Sequence, residues 1–305
     1  MGLFDLFKGP TPEERARQEA SARRQSEILG AIRTGGVPAG TRARLEDTAR
    51  GKLPWLATLT PAELLIARSH GVRPIASVSA TCWMHYGFSW TMGHAQGWTT
   101  ALRRLREEAV ACGANAVLDV KMRTIPLGIE SSMDFTLVGT AVKVEGLAPS
   151  PEPIVATVPA LEFIKLVEAD VVPTGIAIGA HYEWMSDWRS RTTLWGNVES
   201  KALTNLWEIV RQRAHAGLRE NARPQGNGVL AHINFSEMFE VERGENQPKQ
   251  YLARHIVIAT TVDATRATLP HPIGMAVDMH AGATPLTGTA RHHQSYASNE
   301  RDEAI

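Results

Sequence analysis

The chain has 305 residues, 43% of them apolar and 21% charged, which suits a globular protein of about two domains. Thirty-two basic residues balance thirty-two acidic ones, so the formal net charge is zero, which argues against a dedicated nucleic-acid binder and against an acidic disordered chain. Two cysteines exclude a disulfide framework and fit a reducing, cytoplasmic compartment, and no apolar run reaches the ~20 residues of a membrane span.

Residues 1–54 read as a polar helix and a linker. Leu3, Phe4 and Phe7 could share one side of a short apolar turn, a weak peripheral contact for a membrane or a partner, or could simply fray. Thr11-Pro12-Glu13-Glu14 is a capping box with Pro at the first helical position, and the helix should run to about Ile32, before Gly35-Gly36.

Two stretches then read alike. Thr60-Pro61-Ala62-Glu63-Leu64-Leu65 leads to Val72-Arg73-Pro74-Ile75-Ala76-Ser77-Val78. Val158-Pro159-Ala160-Leu161-Glu162-Phe163-Ile164 leads to Val171-Val172-Pro173-Thr174-Gly175-Ile176-Ala177. Each is a Pro-started helix followed by a strand entered through Pro. The match continues through a helix stripe (Leu102, Leu105, Ala109, Cys112 against Leu203, Leu206, Val210, Ala214) to Asn115-Ala116-Val117-Leu118 against Asn227-Gly228-Val229-Leu230. It ends with Val138-Gly139-Thr140-Ala141-Val142 against Ile258-Ala259-Thr260-Thr261-Val262. The growing offset predicts insertions in a helix-to-strand loop near 215–225 and in a hairpin tip near Gly244.

The first helix should begin near Thr99, because Gly87, Gly93 and Gly97 suggest loops before it. After it, a strand should bury Ala116, Leu118, Val120 and Met122 and turn a largely polar face outward. In the second stretch Val229, Ala231, Ile233 and Phe235 read as buried, the opposite phase, which requires either a one-residue slip or a strand covered on both faces. The expected architecture is α+β, with repeat 1 over 55–147, a Pro-rich linker over 148–157, repeat 2 over 158–267 and an extended or disordered tail over 268–305.

The run Ala109-Val110-Ala111-Cys112-Gly113-Ala114-Asn115-Ala116-Val117-Leu118, with the closing Val138-Gly139-Thr140-Ala141-Val142, resembles the bacterial YbjQ-like family, labelled a heavy-metal-binding domain. The resemblance implies a small α+β domain that assembles into a ring-like homo-oligomer, and its label implies a transition metal. Gly113, Ala114, Asn115, Ala116, Gly139 and Thr140 carry it, and they also have a structural reading as a helix end, a tight turn and a close backbone approach.

Candidate metal ligands are Cys82, His85 and His94, with His181 at the position of Cys82 in the second stretch. Thiolate with imidazole would suit zinc or copper, but there is no Cys-x-x-Cys pair, and Cys112 fits its helix stripe as a core thiol. No nucleophile elbow, phosphate loop or dinucleotide fingerprint is present, and His215, His232 and His255 read as isolated histidines, so no enzyme is expected. Trp83, Trp90 and Trp98 in one stretch and Trp184, Trp188 and Trp195 in the other read as loop packing or as a subunit or partner interface. The leading expectation is a self-assembling structural or interaction protein without nucleic-acid or membrane-spanning roles; the alternative is a heavy-metal binder.

Overall fold

A computed structural model describes residues 11–85, 89–127, 132–187, 200–241 and 249–264. The elements are α1 (Pro12–Thr34), α2 (Ala39–Ala49), α3 (Pro61–Ser69), β1 (Val72–His85), α4 (Trp90–Ala111), β2 (Ala116–Leu127), β3 (Ser132–Val144), β4 (Ile154–Val155), α5 (Ala160–Glu168), β5 (Val171–Asp187), α6 (Lys201–Ala222), β6 (Gly228–Val241) and β7 (Lys249–Ala264). The mixture of helices and antiparallel strands is the expected α+β class. The expected tail, 268–305, and the residues Leu3, Phe4, Phe7, Trp188 and Trp195 lie outside the described residues.

Two sheets form, in the strand orders β1-β3-β2-β4 and β5-β7-β6. In each, the last long strand of its set lies in the middle. The registers correspond: Pro74 faces Val142, Pro173 faces Val262, and an irregularity follows each proline. Thr58 N donates to Thr140 Oγ1 at 2.7 Å, and Thr157 N donates to Thr260 Oγ1 at 3.0 Å. The described elements thus run short helix, strand, long helix, strand pair, twice.

The long helix α4 is sandwiched. Its Trp98, Leu102 and Leu105 share one core with Val78, Ala80 and Phe135 of the first sheet and with Ile176, Ile256 and Ile258 of the second. Because side chains alternate along a strand, the neighbouring Ala177, Val257 and Ala259 point the other way and meet Leu218 and Ala222 of α6. The layers are therefore sheet, α4, sheet, α6. A helix buried on two sides cannot be bulky everywhere. At Gly97 a Cβ would lie 2.3 Å from the Phe135 ring. This close approach explains the glycine at 97; both Gly93 and Gly97 sit within α4, whose N-cap Ser89 accepts from Met92 N at 3.2 Å, rather than in the loops expected before Thr99.

Five further expectations change. Residues 215–222 belong to α6 and not to a loop. The buried stripe Leu206, Val210, Ala214, Leu218 and Ala222 then matches Gly93, Gly97, Ala101, Leu105 and Ala109, so this first insertion falls before the helix, while the hairpin tip near Gly244 lies outside the described residues. The segment taken as a linker after α1 contains α2, whose Leu45 is buried in the α4 core. The Pro-rich linker ends in β4, which runs parallel to β2 with Ile154 N on Asn115 O at 3.1 Å and Ala156 N on Val117 O at 2.9 Å. Val117 lies in the α4 core and Asp119 is buried too, so the face of β2 expected to be polar is buried there. On β6, by contrast, Val229, Ala231 and Phe235 are exposed where burial was expected, because β6 is the outer strand of its sheet. Both β2 (between Leu118 and Lys121) and β6 (between Ala231 and Ile233) carry a bulge that switches the strand's phase.

Candidate functional site

The Gly113–Ala116 turn joins α4 to β2. Gly113 adopts φ 76°, and Ala114 N closes the helix on Ala109 O at 3.0 Å. Asn115 then uses its whole amide: Nδ2 donates to Val144 O and Leu147 O, both at 2.9 Å, and Oδ1 accepts from Val144 N at 2.7 Å. Gly139 is required because a Cβ there would lie 2.8 Å from Val117 Cγ1, and Thr140 is the buried acceptor of Thr58. Asn227 makes the corresponding pair with Ala264, through O at 2.9 Å and N at 3.0 Å. These residues form a structural lock. We expect Asn115→Ala to cost about 1–2 kcal/mol, because it removes three hydrogen bonds to part-buried backbone groups, and to lower the urea midpoint accordingly; an unchanged midpoint would show the lock to be dispensable.

The candidate metal ligands are placed as follows. Cys82 lies on β1, its residue buried in the α4 core, and burial pushes its thiol above the ordinary value. Cys112 caps α4 with Sγ on Ala109 O at 3.2 Å, and burial pushes its thiol up to about 11. His85 is exposed at the end of β1. His94 is fully buried on α4, where its Nε2 accepts from Trp98 Nε1 at 3.1 Å and the Phe135 and Tyr182 rings stand 5.3 and 5.7 Å away. Its Nδ1 is buried without a partner. Burial, and secondarily the Arg254 charge, hold His94 down to about 3. His181 lies on β5 and joins Glu183 at 2.9 Å, which in turn accepts from Arg213 of α6 at 2.6 Å. Among the described residues no three His, Cys, Asp or Glu side chains converge on a point that could hold a metal. The thiols are disfavoured as thiolates, and the ring nitrogen His94 would need for a metal is taken by Trp98. Among the described residues these donors do not converge into a heavy-metal site.

The tryptophans divide. Trp98 is buried and Trp90 half-buried, with the Trp90 ring 5.9 Å from Tyr182 of β5. Both belong to the junction of α4 with the second sheet, where Tyr182 N also donates to Thr91 Oγ1 at 3.3 Å. Trp83 and Trp184 are exposed.

Sequence reading missed one cluster. His181 and His255 are direct cross-strand neighbours, and the His215 ring of α6 lies 5.5 Å from that of His255. His255 Nδ1 pairs with Ser236 Oγ at 2.6 Å, and burial, with His215 and Arg211 beside it, holds it down to about 4. Only the β5–β7 register brings these histidines together, and no local spacing announces it.

Residues 88–145, which span α4, β2 and β3, match the YbjQ family model, described as "Putative heavy-metal-binding". No curated protein and no solved structure matches the chain. No described helix is long and apolar enough to cross a membrane.

Proposed function

We propose that this chain is a non-enzymatic, self-associating interaction protein of a reducing compartment, built by tandem duplication of one YbjQ-like module. The observation that carries the reading is the contact between the two sets of elements. One set offers a helix face and a sheet edge, α4 and β2; the other answers with a sheet face and an arm, β5–β7 and β4. A module that recognises a second module this way can recognise a third, and a head-to-tail contact closes into a ring when its rotation allows. Supporting the duplication are the matched registers, the two Thr–Thr ties and the two Asn locks. Native mass spectrometry of the untagged chain at micromolar concentration should report a defined multiple of the chain mass. A monomer throughout that range overturns the reading.

The second reading, heavy-metal binding, is favoured by the family description of residues 88–145. The same spectra test it. Stoichiometric zinc or copper that is lost in a Cys82→Ala, His85→Ala variant would establish it.

A further inference from the structure

Each sheet has outer edges, and bare edges invite pairing with other chains. Setting aside the short β4, the long strands present four outer edges, and among the described residues three of these have partners. On β1, Ser79 N donates to Glu108 Oε2 at 3.0 Å, and Arg104 of α4 binds Thr81 O. On β5, Ile178 N donates to Asn221 Oδ1 at 3.0 Å. On β2, the edge is taken by β4. The edge of β6 has no paired strand among the described residues.

The sequence before β4 and α5 has a counterpart. Pro153-Ile154-Val155-Ala156-Thr157-Val158 matches Pro54-Trp55-Leu56-Ala57-Thr58-Leu59. Both arms are tied to their own sheet by the threonine, Thr157 to Thr260 and Thr58 to Thr140. The tie gives both arms the same starting point and heading. The second arm goes on to pair with β2 of the first set. The first arm, in residues 53–57, makes no backbone–backbone hydrogen bond among the described residues.

Burial separates the matched positions sharply. Val155 is 0% and Ile164 5% exposed, whereas their counterparts Leu56 and Leu65 are 68% and 75% exposed. On the receiving strand, Val117 is 0% exposed and its counterpart Val229 38%. Trp55, Leu64 and Leu65 also line an open groove of about 870 Å³ beside α3. The chain therefore carries an unused arm at one end and an unused edge at the other, of the kind already joined in its middle.

We propose that residues 54–59 of one chain add as a parallel strand to β6 of a second copy of this chain, with α3 seated beside that copy's α5. The inference rests on the self-association reading and names its surfaces. The β4–β2 register, Ile154 with Ala116 and Val155 with Val117, transfers directly. Trp55 stands opposite Gly228 and Leu56 opposite Val229. Main-chain hydrogen bonds give the contact its affinity, and Leu56 and Leu65 give it an apolar seal. The joint is heterologous, since arm and edge are different surfaces, so each added chain exposes a fresh arm or edge until a ring closes.

The test mixes two full-length single variants, Leu56→Cys and Val229→Cys, under mild oxidation. Cys82 and Cys112 are buried, so background coupling is low. A disulfide-linked mixed dimer is expected, well above the yield from Leu56→Cys mixed with Phe235→Cys; equal or no coupling overturns the inference. In parallel, Leu56→Asp with Leu65→Asp, both at exposed positions, should leave the circular dichroism unchanged and weaken assembly at least tenfold. If the wild-type chain is monomeric, both the inference and the self-association reading fall. If it assembles and the double aspartate variant assembles equally well, this joint alone is overturned.

Discussion

Gly179→Ala should destabilise the chain by about 3 kcal/mol or more, the upper end of overpacking costs, because the atoms it meets cannot step aside. A Cβ on this β5 residue would lie 2.0 Å from Ala214 O and 2.6 Å from Leu218 N, both main-chain atoms of α6. Relief requires moving the helix off the sheet, which would break the packing of Ala177 and Val257 with Leu218 and Ala222. Gly217 is the control. It lies across from Gly179 on the same helix, and a Cβ there meets only Gly179 Cα at 4.0 Å. Gly217→Ala should raise stability by up to ~1 kcal/mol through helix propensity. Urea denaturation reads both, and a neutral Gly179→Ala would show that α6 does not seat this closely.

Acid should unfold the chain through its buried histidines. His94 and His255 are neutral in the native state, held down to about 3 and about 4, whereas in the unfolded chain they bind protons below about 6.5. The unfolded state therefore takes up more protons as pH falls, and the native state loses ground from about pH 6.5 downward. Each histidine removes roughly 2 kcal/mol by pH 5. Their contribution is fully present above about pH 6.5. Glu108, raised by burial, pushes in the opposite direction, so the slope between pH 7 and 5.5 is read against a Glu108→Gln variant, which lacks that contribution. The urea midpoint should drop steeply across that window. His94→Gln, which keeps an acceptor for Trp98 Nε1, should flatten the slope by about half. A flat midpoint from pH 7 to 5.5 would contradict the neutral burial of both rings.

What was legible in the sequence was local. Thr11 and Thr60 with their prolines mark true helix starts, and both capping boxes form. Gly113 and Asn115 mark the turn they make. The Pro74 and Pro173 strand entries, and the succession of elements they belong to, were readable because each depends on a few adjacent residues. What failed depended on distant partners. Gly97 looks like a loop residue until Phe135 is placed beneath it. Val229 looks buried until β6 proves to be the outer strand. The bulges in β2 and β6 each insert one residue and reverse a pattern that period-two reasoning extends indefinitely. The scatter of the metal candidates among the described residues has the same origin. Cys82, His85 and His94 are close in sequence, but a strand end, a sheet face and a helix separate them, while His181 and His255 meet from far apart.

The middle position of β7 has a consequence for how the chain is made. β5 and β6 do not touch as strands; both wait for β7, which ends at Ala264. Until that strand emerges from the ribosome, Ile256 and Ile258 are missing from the roof over Trp98 and Leu102. The side of α4 turned toward the second sheet is therefore covered only by a closure between residues far apart in sequence, the kind of contact that forms slowly.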